Sequence, residues 1–140
     1  MDKLQKQILA EKENVETALI NLQSAMERKE KSVIELAAIG TFLHNIYSGM
    51  ENILKQILQA KGTDIPTSAT WHKDLLNLCL SAGILSEGLT DNLYKYLTFR
   101  HFFVHAYGFM LEEAHIADLA ANIPDVWLQF LSEIGCFWEQ

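Results

Sequence analysis

Residues Ser32 to Gly62 read S-V-I-E-L-A-A-I-G-T-F-L-H-N-I-Y-S-G-M-E-N-I-L-K-Q-I-L-Q-A-K-G, and their spacing decides the fold class. Ser32 and Glu35 stand three apart at the head of an apolar run. This is the pattern of a capping box, in which each side chain satisfies an amide that the first helical turn leaves unpaired. Leu36, Ile39, Leu43, Ile46, Met50, Ile53 and Ile57 then recur every three or four residues, the period of one helical face. Lys61 and Gly62 give a basic last turn followed by a residue that accepts a left-handed conformation. One long helix is predicted here.

The same period runs upstream through Leu4, Ile8, Val15, Leu19, Leu22 and Met26 and ends in the polar run E-R-K-E-K. Two antiparallel helices of about seven turns each are predicted. The segment G-T-D-I-P-T-S-A-T reads as a loop, with Thr70 or Ser68 capping a short helix through W-H-K-D-L-L-N-L-C-L to Gly83. A fourth helix is predicted from about Leu89 to Tyr107, stopping at Gly108. A fifth begins near Glu112 and is interrupted at N-I-P-D, with Pro124 in the first turn of a renewed helix. The expectation is an all-α bundle of four or five helices with mostly up-and-down connections, forming one domain over residues 1–140.

Composition agrees with that class and narrows the function. Only two prolines and seven glycines occur, and 49% of residues are hydrophobic, enough for an ordinary core. Cys79 and Cys136 lie far apart in apolar surroundings, which predicts buried thiols of a reducing compartment and offers no metal-type spacing. The charged, amphipathic first residues lack the apolar core of a signal peptide, and no apolar run of membrane-spanning length follows. A cytoplasmic protein without a membrane partner is expected. A net charge of −7 argues against the broad basic footprint that holds duplex DNA, so any RNA contact is expected to be local.

The concentrated chemistry lies in R-H-F-F-V-H-A-Y-G, Arg100 to Gly108. At about 100° per residue, Arg100 and Tyr107 share one face of the fourth helix, and His101 and His105 share the adjacent one. A guanidinium can hold two phosphate oxygens while an imidazole moves a proton near neutral pH. RNA carries its own nucleophile in the 2′-hydroxyl, so cleavage by such a pair requires no metal. Residue types alone leave a second reading open, in which Arg100 pairs with a core carboxylate and His105 donates to a carbonyl. A third is a metal site on His101 and His105, for which no third ligand is apparent nearby.

R-H-F-F-V-H-A-Y fits the pattern R-x-x-x-x-H-x-Y and, on the penultimate helix of an all-α chain, resembles the HEPN superfamily and within it the HepT-like toxins. His101 falls in the slot after the arginine that is usually polar in HEPN ribonucleases. The resemblance implies a metal-independent endoribonuclease, the toxin of a toxin–antitoxin system, that needs no cofactor. Arg100 and His105 would be catalytic, with His101 beside them, in a cleft shared by the two protomers of a homodimer. It also implies a minimal nucleotidyltransferase antitoxin that attaches AMP to Tyr107, placing an anionic phosphate beside Arg100.

The alternative, from another class, is a non-catalytic helical module that uses the same groove to hold a nucleotide or a partner. Elsewhere, His44 reads as a satisfied polar group on the face of helix two that also carries Tyr47 and Glu51. His115 reads as part of a solvated face. Trp71 and Lys73 read as a core-capping aromatic and a solvated cation, although both types also suit a nucleic-acid cleft. Phe137 and Trp138 are expected to tuck into the bundle.

Overall fold

The computed structural model describes residues 2–107 and 112–139, the side chains of Ala106, Tyr107 and His115 excepted. Within them run five α-helices: α1 (Lys3–Met26), α2 (Val33–Ala60), α3 (Trp71–Ser81), α4 (Glu87–Phe102) and α5 (Glu113–Ile134). A π-helical turn, Phe103–Tyr107, extends α4, and a 3-10 turn, Gly135–Phe137, follows α5.

Capping sets the helix starts. Ser32 and Glu35 form the predicted box, with the Ile34 amide donating to Ser32 Oγ at 3.2 Å and the Ser32 amide donating to Glu35 Oε2 at 2.9 Å. The many hydrogen bonds at Glu35, led by the one from Ser32, hold its carboxyl below the usual value. Asp2 and Gln5 make a second box at α1. Gly62 and Gly83 end their helices at φ 76° and 75°, a region costly for a residue with a Cβ. At α3 the cap differs from expectation: Thr70 makes no side-chain cap bond, and the hydroxyls of Ser68 and Thr70 donate to Asp74 instead.

α1 and α2 form an antiparallel hairpin. Asn52 donates to Glu11 at 3.3 Å, and Val15 lies against Gly49. The apolar stripe foreseen for α2 is the spine of one hydrophobic cluster, with Ile39, Leu43, Ile46, Met50, Ile53 and Ile57 all buried. α3 and α4 also run antiparallel, as do α4 and α5. Tyr94 donates to Asn77, the Tyr96 hydroxyl donates to the Leu119 carbonyl at 2.8 Å, and Glu133 accepts from the Ser86 amide and hydroxyl that begin α4. Trp127 Nε1 donates to Glu16 at 3.3 Å and ties α5 back to α1.

Three further details differ from the sequence expectation. α5 continues through Pro124 instead of restarting there. A proline inside a helix removes one hydrogen bond and costs about 3 kcal/mol. Here Ile116, Ala120 and Ile123 before it, and Val126, Trp127, Phe130 and Ile134 at and beyond the following turn, are all buried on one face, and that burial outweighs the local loss. The fourth helix gives way to the π-turn at Phe103, where bonding shifts to i→i+5. Its expected stop, Gly108, lies outside the described residues. Finally, Cys79 is buried, which pushes its thiol up to about 12, whereas Cys136 is exposed. Trp138 is buried and Phe137 half-buried, as expected for a tucked terminus.

The close approach of α1 and α2 makes one glycine substitution behave against helix propensity. A Cβ at Gly49 would collide with Val15 Cγ2, a stiff β-branched side chain, whereas a Cβ at Gly88 meets open space. Gly49→Ala is expected to destabilise the fold by about 1–3 kcal/mol through overpacking. Gly88→Ala is expected to be neutral or to stabilise by up to about 1 kcal/mol. Urea unfolding of the two variants checks this, and an equal or greater stability of Gly49→Ala would contradict the packing described.

Candidate functional site

A polar layer crosses the apolar core where α2, α3 and α4 meet. Glu51 in α2 is only 3% exposed, and a carboxylate that deep requires a partner. His72, in the first turn of α3, supplies it: Nδ1 lies 2.8 and 2.9 Å from the two carboxylate oxygens. A carboxylate only accepts, so Nδ1 carries the donated proton and Nε2 is left free. Trp71 stacks on the imidazole with ring centroids 3.5 Å apart and is half-buried against the core. The Lys55 ammonium sits 4.1 Å from the centre of the Trp71 ring.

Arg100 reaches the same layer from α4. It is half-buried, and its Nε is buried with no hydrogen-bond partner among the described residues. Its charge is felt by α2. Burial first, and the Arg100 guanidinium second, lower the affinity of His44 for a proton, against the opposing pull of Glu51. Burial and then Glu51 push the Tyr47 phenol far above its ordinary value, with Arg100 acting the other way. His44 is thus held towards its neutral form and adds no repulsive charge beside the guanidinium. Among the described residues the ion pairs are Lys31 with Glu113 and His72 with Glu51. Arg100 is in neither pair, and the buried carboxylate of Glu51 is bonded to His72.

His101 and His105 are both exposed, with ring centroids 4.2 Å apart and planes tilted by 51°. The structure therefore brings these two together, as the helical spacing predicts. His105 falls within the π-turn, a feature frequent at functional sites. The turn keeps Phe103 half-buried and stacked on Phe99, 5.7 Å away, while Val104 and His105 stand exposed. The side chains of Tyr107 and His115 lie outside the described residues. Among those described, no group of three or more His, Cys, Asp or Glu residues is placed to hold a metal ion.

A cleft of about 490 Å³ opens between α3 and α4, lined by His72, Lys73, Tyr94, Arg100 and His101 along with smaller residues. The sequence reading assigns Arg100 and His101 to a cleft shared by two protomers, not to one between α3 and α4 of a single chain. It set Lys73 aside as solvated and gave Glu51 and His72 no role. Lys73 is indeed exposed, but it is exposed at this cleft. The signal that finds the pair is present in retrospect: Glu51 sits on the buried stripe of α2, where a carboxylate is anomalous and calls for a basic partner on a neighbouring helix.

A family model described as HepT-like protein matches residues 38–140, which takes in most of α2, all of α3 to α5, and Arg100, His101, His105 and Tyr107. Neither a curated protein nor a solved structure gives a match. The all-α helix order agrees with the family match over most of the chain: this chain belongs to the HepT-like family of the HEPN superfamily.

Proposed function

We propose that the protein is a metal-independent endoribonuclease, the toxin component of a toxin–antitoxin pair. The observation that carries this reading is the state of Arg100. Its guanidinium borders a cleft, has no described ion-pair partner, and stands beside an exposed histidine pair. Such a cation is available to two oxygens of an RNA phosphate. The family match supports the same class of protein.

In the proposed reaction the 2′-hydroxyl of one nucleotide attacks its own 3′-phosphorus. The hydroxyl proton passes to a base, the P–O5′ bond breaks, and the departing 5′-oxygen takes a proton from an acid. The products are a 2′,3′-cyclic phosphate and a 5′-hydroxyl. Arg100 stabilises the charge that grows on the non-bridging oxygens. His105 handles the proton, and His101, one helical turn away, positions the phosphate. A homodimer that faces two copies of this helix end would double the cations over one RNA strand, and Val104, 48% exposed between the two histidines, gives that pairing an apolar contact. The activity is assigned to the cytoplasm, and no described helix is long and apolar enough to cross a membrane.

Control is assigned to Tyr107. A minimal nucleotidyltransferase antitoxin would transfer AMP from ATP, with the phenol oxygen attacking the α-phosphorus, pyrophosphate leaving and the phenol proton going to solvent. Tyr107 lies seven residues after Arg100, at the end of the π-turn. The added phosphate would compete with RNA for the guanidinium.

Arg100→Ala and His105→Ala are each expected to reduce RNA cleavage by about a hundredfold or more while leaving the helical circular dichroism unchanged. His101→Ala is expected to cost less, and EDTA nothing. Activity that disappears in EDTA and returns with magnesium or zinc would overturn the metal-independent assignment. Incubation with a nucleotidyltransferase encoded beside it, plus ATP, is expected to add one or more AMP units and silence cleavage, with Tyr107→Phe escaping both. Mass spectrometry showing the phenylalanine variant modified as fully as the wild type would refute Tyr107 as the acceptor.

A further inference from the structure

The clefts on this molecule differ in charge. The one between α1 and α2, about 370 Å³, contains Glu11, and one beside α4 and α5, about 470 Å³, contains Asp118 and Asp125 against Lys95. The α3–α4 cleft presents Lys73, Arg100, His72 and His101, with no carboxylate among its described lining residues. In a chain of net charge −7 this is a local reversal of sign. Asp91 and Asp74 both act on the cleft's Tyr94, whereas other contacts engage two of the acids nearby. Glu51 is buried and bonded to His72, and Asp74 accepts hydroxyl hydrogen bonds from Ser68 at 2.6 Å and Thr70 at 3.1 Å.

We propose that this cleft is a backbone-phosphate subsite for single-stranded RNA, in which Lys73 and the Glu51-held His72 take the phosphate next to the scissile one. The proposal rests on the ribonuclease reading for the identity of the strand. It extends the site from the end of α4 across to α3.

The geometry gives each wall a task. Arg100 and His101 line the α4 side and are shared with the proposed reaction centre, so a strand whose scissile phosphate meets Arg100 runs directly into the cleft. Lys73 faces them from α3 as an exposed, flexible cation suited to an anionic oxygen. His72 is fixed instead of flexible, because Glu51 holds Nδ1 and Trp71 stacks on the ring. Its remaining nitrogen, Nε2, is the polar atom it can offer to the cleft. Tyr94, half-buried and hydrogen-bonded to Asn77, adds an aromatic surface of the kind on which bases stack.

Equilibrium binding of the full chain to a labelled, single-stranded 2′-O-methyl oligoribonucleotide tests this. The proposed chemistry cannot cut that probe. Across a salt series, Lys73→Gln is expected to flatten the dependence of log K on log salt by about 0.7 for each Lys73 that engages a phosphate. Lys73→Arg is expected to keep the wild-type slope, and Lys6→Gln, an exposed lysine of α1, to change nothing. An unchanged slope in Lys73→Gln, or no binding by the wild type, overturns the proposal. The two readings fail separately. A flattened slope in a protein that cleaves no RNA retains the subsite and removes the nuclease, whereas cleavage with an unchanged slope does the reverse.

Discussion

Burying Glu51 is the constraint on which the site depends. A carboxylate 3% exposed in the middle of the longest helix must be paired, and the geometry pairs it with His72 through both oxygens. Removing one partner of such a pair costs about 3–5 kcal/mol, so the start of α3 is pinned against α2. That pin does two further things. It sets Lys73 and the free edge of His72 opposite Arg100 and His101 of α4, and it satisfies the core carboxylate. Arg100 makes no ion pair with any described residue.

The arrangement separates buried polarity from exposed polarity. Below the surface, Glu51 and His72 satisfy one another, while His44 and Tyr47 are held towards their neutral forms, chiefly by burial. At the surface, the rings of His101 and His105 have centroids 4.2 Å apart, and His101 lines the cleft together with Arg100. In a chain of net charge −7, the cleft lined by Lys73, Arg100 and His101 is a local cationic site among the described residues.

Much of this was legible in the sequence, for identifiable reasons. The stripe from Leu36 to Ile57 and the Ser32–Glu35 box are local signals, and both appear as read. The i,i+4 spacing of His101 and His105 likewise survives into contact although His105 falls within the π-turn. Pro124 was misread because the interruption weighs one lost hydrogen bond without the buried face of α5 on either side of it. Cys136 was misread because apolar neighbours in sequence do not guarantee burial in a terminal 3-10 turn. The Glu51–His72 pair escaped because its members lie 21 residues apart on different helices, and no periodicity links them.

The central claim is that RNA is cut by its own 2′-hydroxyl, with Arg100 holding the phosphate and a histidine moving the proton. Mass-spectrometric analysis of the fragment ends made by the wild-type protein in EDTA tests this most directly. The account predicts 2′,3′-cyclic phosphate and 5′-hydroxyl ends, and no cut where a single 2′-deoxynucleotide replaces the nucleotide 5′ to the scissile bond. Fragments with 3′-hydroxyl and 5′-phosphate ends, or cleavage that persists at the 2′-deoxy position, would contradict it.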